Sequence, residues 1–139
     1  MSLIRKELDP MKFTKAANMG LHVMVFLAQK DKTNENLNIH ELADRFEVSS
    51  SYLSKILTQL AKANLVASVS GVKGGYKLKK SAEEISFLDI IQAIDGLSDR
   101  ALCLANNPRQ CPISDILNEG EEKMWTYFSS VHLSQLTEL

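Results

Sequence analysis

The sequence predicts a mainly α-helical protein with a small β-hairpin wing: a winged helix-turn-helix followed by a long C-terminal dimerisation helix. Three observations carry this. Between Asn38 and Ala63, two short amphipathic helices are separated by a break at Glu47-Val48-Ser49. A Gly-rich hairpin pattern follows, from Leu65 to Lys80. Basic charge concentrates on this same stretch. Residues 49–82 hold six lysines and no acid, residues 1–48 hold seven bases and seven acids, and residues 83–139 hold three bases and ten acids. The formal net charge of −1 therefore hides a basic segment on an acidic body. That distribution, rather than the total, points to nucleic acid.

Taken in order, residues 1–10 form a charged N-terminal extension without clear periodicity, and residues 11–82 form the winged helix-turn-helix. A first helix is expected from Thr14 to Gln29. Leu21, Met24, Val25 and Ala28 mark its core stripe, and Phe26 and Leu27 widen it. Lys30 to Leu37 reads as a polar loop. Asn38, with Glu41 three residues on, is a helix start with a reciprocal capping pattern. Leu42, Ala43 and Phe46 give that helix its apolar side. Ser49 or Ser50 can cap the next helix, in which Leu53, Ile56, Leu57 and Leu60 keep the spacing of one buried face. Ser51, Ser54, Lys55, Thr58, Gln59 and Lys62 lie opposite, and Asn64 is a left-handed stop. Two helices joined by about three residues make a helix-turn-helix, whose second helix can enter a major groove. Leu65 to Val69 and the stretch around Tyr76 and Leu78 alternate as strands, with a turn at Ser70-Gly71-Val72-Lys73-Gly74-Gly75.

Residues 83–139 hold a connecting helix, a cysteine-bearing loop and the dimerisation helix. Ser86-Phe87-Leu88-Asp89 is a second capping box, opening a helix through Ile90, Ile91 and Ile94 that closes at Gly96. Leu97 to Gln110 reads as a loop, and Cys111-Pro112 leads into the last helix, from about Ile113 to Ser129 or beyond. There Ile113, Leu117, Gly120, Met124, Tyr127 and Val131 form a heptad-like seam, widened by Trp125 and Phe128. Gly120 inside a helix costs roughly 1 kcal/mol relative to Ala, and on a seam it lets a second helix come close.

The chemistry of an enzyme is missing from the pattern. No phosphate loop, nucleophile elbow or paired-carboxylate motif occurs, and His22, His40 and His132 share no metal-ligand spacing. Gly71 to Gly75 lies in a hairpin rather than between a strand and a helix, which argues against a nucleotide loop. No apolar run approaches the ~20 residues of a membrane span. Two cysteines without a secretory leader point to a reducing cytoplasm.

At this point the chain resembles the Rrf-two type (BadM/Rrf) family of bacterial winged helix-turn-helix transcription regulators. The matching residues are Met11-Lys12-Phe13-Thr14, Leu42-Ala43, Ser51-Tyr52-Leu53-Ser54-Lys55-Ile56-Leu57 and Leu60-Ala61-Lys62-Ala63-Asn64-Leu65-Val66. They continue with Gly71-Val72-Lys73-Gly74-Gly75-Tyr76-Lys77-Leu78 and Ile85-Ser86-Phe87-Leu88-Asp89-Ile90-Ile91. The resemblance implies a homodimer, expected to act as a repressor, on a partly palindromic operator in double-stranded DNA. It implies major-groove reading by Ser49, Ser50, Ser51, Tyr52, Ser54 and Lys55. The wing, through Lys73, Gly74 and Gly75 with Tyr76 beside them, would reach the minor groove. The last helix would form the dimer, through Leu117, Gly120, Met124, Tyr127, Phe128 and Val131. Some members carry an acid at the position of Ser54 and an arginine at that of Ser70, so serine at both implies a different operator or weaker direct readout. A winged-helix adaptor without DNA binding is the competing class.

Cluster-binding members place three cysteines in the loop before the last helix. Here that loop offers Cys103 and Cys111, and Asn18 stands where some members have a carboxylate ligand. Two thiolates per chain fall short of an iron–sulfur cluster unless a dimer pools ligands, so no cofactor is expected. Three readings stay open: a thiol switch between Cys103 and Cys111, a pooled cluster, and ordinary loop cysteines with an effector of another kind.

Overall fold

The computed structural model describes residues 13–31, 33, 36–96 and 111–137. The expected N-terminal extension, Met11, Lys12, and the loop with Cys103 lie outside the described residues. Helix α1 spans Lys15–Asp31, α2 Ile39–Phe46 and α3 Ser50–Lys62; strands β1 (Val66–Val69) and β2 (Gly75–Leu78) follow, then α4 (Phe87–Asp95), α5 (Pro112–Ser130) and a 3₁₀ turn at Leu133–Leu136.

Capping chemistry sets most of these boundaries. Asn38 Oδ1 accepts from Glu41 N at 2.8 Å, and its amide donates to Glu41 Oε1 at 3.1 Å. Ser49, not Ser50, caps α3 by accepting from Tyr52 N at 3.1 Å. Helix α2 stops at Glu47 and α3 at Asn64, both left-handed (φ 54° and 62°). Each stop is followed by a bond back across the helix end, Val48 N to Ala43 O and Leu65 N to Leu60 O, both at 3.0 Å. This satisfies carbonyls that a helix end leaves open. The capping box at Ser86 and Asp89 is complete in both directions.

The core joins the helix-turn-helix to the C-terminal part. Val23, Met24, Leu42, Leu53, Leu57, Leu60, Ile85, Ile90 and Leu133 are fully buried in one cluster. On α1 the stripe sits differently from the expected one. Met24 and Ala28 are buried, but Leu21 and Val25 are only half-buried, and Ala17, Gly20, Val23 and Leu27 complete the buried face. The stretch from Leu21 to Ala28 is apolar at every position but His22, so its periodicity is weak and neighbours decide which face turns inward.

The sheet is a two-stranded antiparallel hairpin with Val66 opposite Leu78 and Val69 opposite Gly75. Leu37, expected in a polar loop, instead bridges to Tyr76. Tyr76 N donates to Leu37 O at 2.8 Å and Leu37 N donates to Tyr76 O at 3.3 Å. The approach is so close that a Cβ on Gly75 would meet the Leu37 carbonyl oxygen, with Asn38 N at 2.8 Å, and Gly75 also has φ +151°. Gly74 is equally confined, because a Cβ there would meet Val69 O. The two glycines are thus demanded by the chain's own packing.

A second long-range tie closes the other end. Thr14 N donates to Asp95 Oδ2 at 3.0 Å and Thr14 Oγ1 donates to Asp95 Oδ1 at 2.6 Å. Thr14 Oγ1 also accepts from Ala17 N at 3.1 Å, so Asp95 holds the residue that caps α1.

Gly75→Ala is expected to destabilise the fold by about 2 kcal/mol or more, since it adds backbone strain and a backbone clash. Urea unfolding followed by circular dichroism measures this. A change below about 0.5 kcal/mol would show that the Leu37–Tyr76 contact is loose.

Candidate nucleic-acid interface

The burial of one face of α3 decides what the other presents. Leu53, Ile56, Leu57 and Leu60 are inside. Ser51, Lys55, Thr58 and Lys62 are exposed, while Ser54 and Gln59 are half-buried. Ser54, Lys55, Thr58, Gln59 and Lys62 line a shallow concavity along the helix. Thr58 Oγ1 donates to Ser54 O at 2.8 Å, so its hydroxyl proton is engaged along the helix. Gln59 Nε2 donates to Ile94 O at 3.4 Å, which ties the far end of α3 to α4.

The first turn of α3 brings together the predicted serines. Ser49 is exposed and its oxygen is used by the cap. Ser50 Oγ lies 3.4 Å from His40 Nδ1 on α2, a neighbour that α-helical periodicity alone did not reveal. Tyr52 is half-buried and packs against the core. Its ring is thus partly committed to packing, which leaves Ser51, Ser54 and Lys55 as the side chains of the predicted set least constrained by the interior.

The wing stands beside this surface. Val72 and Lys73 are exposed at its tip, and Lys77, Lys79 and Lys80 follow on its return. Asn36 Nδ2 donates to Lys73 O at 3.3 Å, so the segment before α2 steadies the tip. Nothing local in the sequence marks Asn36 for this. Lys79 Nζ donates to Asn64 Oδ1 at 3.1 Å, fastening the base of the wing to the end of α3. Tyr76 is half-buried against the core. The head thus presents two elements that can engage duplex DNA together: a helix edge rich in hydroxyls and lysine, and a basic loop.

The C-terminal residues divide. Ile113, Leu117, Gly120 and Tyr127 are exposed on α5, while Met124 and Phe128 are half-buried. Phe128 meets Phe13 edge-on at 6.3 Å between centroids, so part of its face is used within the chain. Val131 lies just past the helix at its C-cap, where its carbonyl accepts from Phe87 N at 2.8 Å. Cys111 is buried at the N-cap of α5. Its carbonyl accepts from Asp115 N at 3.1 Å and from Ser114 Oγ at 3.2 Å. Cys103 lies outside the described residues.

The Rrf2 family model, described as an iron-dependent transcriptional regulator, matches residues 13–139. The chain belongs to the Rrf2 family. This Rrf2 protein is 30% identical over 138 residues to YffB of Lactococcus lactis, named as an HTH-type transcriptional regulator, covering 92% of this chain and 88% of that one. It is 31% identical over 106 residues to the HTH-type transcriptional regulator NsrR of Bacillus licheniformis, covering 76% and 73%. Its fold matches that of CymR, the global cysteine regulator of B. subtilis, with a TM-score of 0.81 at 23% identity, over 93% of this chain and 98% of that one. The Rrf2 chain is a DNA-binding transcription regulator built on a winged helix.

Two substitutions separate backbone positioning from base reading. Lys73→Ala is expected to weaken binding to all duplexes alike and to lower the salt slope by about one. Ser51→Ala is expected to change the preferred sequence, at a cost of about 1 kcal/mol at the affected base pair. Selection from random duplexes, with titrations at two salt concentrations, tests both; uniform loss from Ser51→Ala would remove it from the reading surface.

Proposed function

We propose that this Rrf2 protein acts as a cytoplasmic homodimeric repressor on a partly palindromic operator, without enzymatic activity. The observation that supports the dimer is the outward face of α5. Of its 19 residues only Ser114 is buried, and Ile113, Ile116, Leu117 and Tyr127 are 67%, 68%, 56% and 64% exposed. An apolar helix face left open to this degree calls for a partner. Among the described residues, nothing beyond the helix's own backbone lies within 4 Å of a Cβ built on Gly120. A second helix approaching closely would account for that glycine. A two-fold pair would carry two reading heads to two half-sites.

Leu117→Asp is expected to shift the protein to a monomer in sedimentation velocity and to reduce affinity for a two-half-site duplex at least about tenfold, while leaving a single half-site nearly unaffected. A variant that stays dimeric would place the interface elsewhere. Both monomer and dimer retain the fold if circular dichroism is unchanged.

The description of the family names iron, so the donor set matters. The chain has two cysteines in all, and among the described residues no three His, Cys, Asp or Glu side chains gather as a metal site. Cys111 is buried at a helix start. These residues do not fit an iron–sulfur cluster held by one chain, which needs about four ligands. We propose that regulation proceeds without a resident cluster. Protein purified without oxygen is expected to be colourless and free of stoichiometric iron; brown, iron-bearing protein overturns this. If Cys103 and Cys111 form a thiol switch, diamide treatment changes operator affinity in the native chain and leaves the Cys103→Ser variant unaffected.

A further inference from the structure

A groove of about 320 Å³ lies along the outer face of α1, a size within the range of small-molecule sites. Leu21, Val25, Phe26, Phe46, Phe87 and Leu136 supply apolar lining, and Asn18, His22, Gln29 and Arg45 supply polar groups. Among the described residues no carboxylate lines it. Two residues of the expected α1 stripe, Leu21 and Val25, are half-buried at the edge of the core and also line this groove.

The groove has a defined electrostatic end. Phe26 and Phe46 pack edge to face, with centroids 5.9 Å apart and rings at 90°. The Arg45 guanidinium carbon lies 5.2 Å from the centroid of the Phe26 ring, and Lys30 Nζ lies 5.8 Å from it. Among the described residues no ion pair engages Arg45. His22 Nδ1 lies 2.8 Å from Asn18 O. A carbonyl oxygen can only accept, so Nδ1 carries a proton and donates to it. Among the described lining residues Arg45 is the one permanent charge. A guanidinium held by an aromatic ring, beside an apolar floor and without an acid, is complementary to an organic anion.

Position gives such a ligand leverage. Arg45 and Phe46 are the last two residues of α2, immediately before the turn into α3. Phe87 opens α4, and Leu136 closes the 3₁₀ turn. One molecule would touch α1, the helix-turn-helix and the C-terminal part at once.

We propose that this groove binds a small amphipathic organic anion, with an acyl or aromatic body against Phe26, Phe46 and Leu136 and a carboxylate or sulfonate at Arg45. The test uses the full chain with 8-anilinonaphthalene-1-sulfonate as a fluorescent probe, displaced by decanoate or by 1-decanol. The groove-dependent signal is the part lost in Val25→Trp, which fills the site; Leu136→Trp serves if Val25→Trp lowers the melting temperature. Decanoate is expected to displace that signal at a concentration about tenfold lower than decanol, and Arg45→Gln is expected to abolish the difference while leaving decanol unchanged. Equal displacement by acid and alcohol, or an unaltered decanoate affinity in Arg45→Gln, overturns the proposal. So does a probe signal that falls as the dimer fraction rises in sedimentation at the same concentrations, which would assign the groove to a second copy of the chain.

Discussion

The burial of one side of α3 is the constraint on which the rest of the molecule depends. Leu53, Leu57 and Leu60 are excluded from water completely. Burying each such side chain contributes about 1.5–3 kcal/mol, so rotating the helix about its axis would cost far more than any polar contact on its outer face returns. The rotation is therefore fixed before DNA arrives, and Ser51, Lys55, Thr58 and Lys62 face outward as a consequence. The face of α3 that this leaves for a duplex is the complement of its core.

The wing depends on the same logic through the backbone. A two-stranded hairpin alone is marginal in water. Here the bridge from Leu37 to Tyr76 adds a third segment, and the bond from Lys79 to Asn64 anchors the base to α3. Wing and recognition helix are consequently parts of one surface with a set separation. Gly74 and Gly75 serve this arrangement first, because their missing side chains are what let the segments close.

Helix α5 follows the opposite rule. It leaves Ile113, Ile116, Leu117 and Tyr127 outside, and the chain returns from it to pair Ser86 with His132 and to bury Leu133. Helix α4 ties the other helices together, since Asp95 accepts from Thr14 at the start of α1 and Ile94 O accepts from Gln59 of α3.

The sequence by itself determined the elements whose signals are local. Asn38, Ser49 and Ser86 mark helix starts because a cap needs only a side-chain oxygen within three residues of a free N–H. Asn64 marks a stop for a comparable reason, and the lysine-rich, acid-free stretch is legible because charge is simply counted. Only the tertiary structure decided what depends on partners distant in sequence. It placed Val23 rather than Val25 in the core, because α1 is apolar on most sides and its neighbours choose the face. It drew Leu37 out of a polar loop into the wing, turned Tyr52 and Tyr76 partly inward, and joined Thr14 to Asp95 across the fold. Periodicity records how a segment repeats; it carries no term for which surface arrives to cover it.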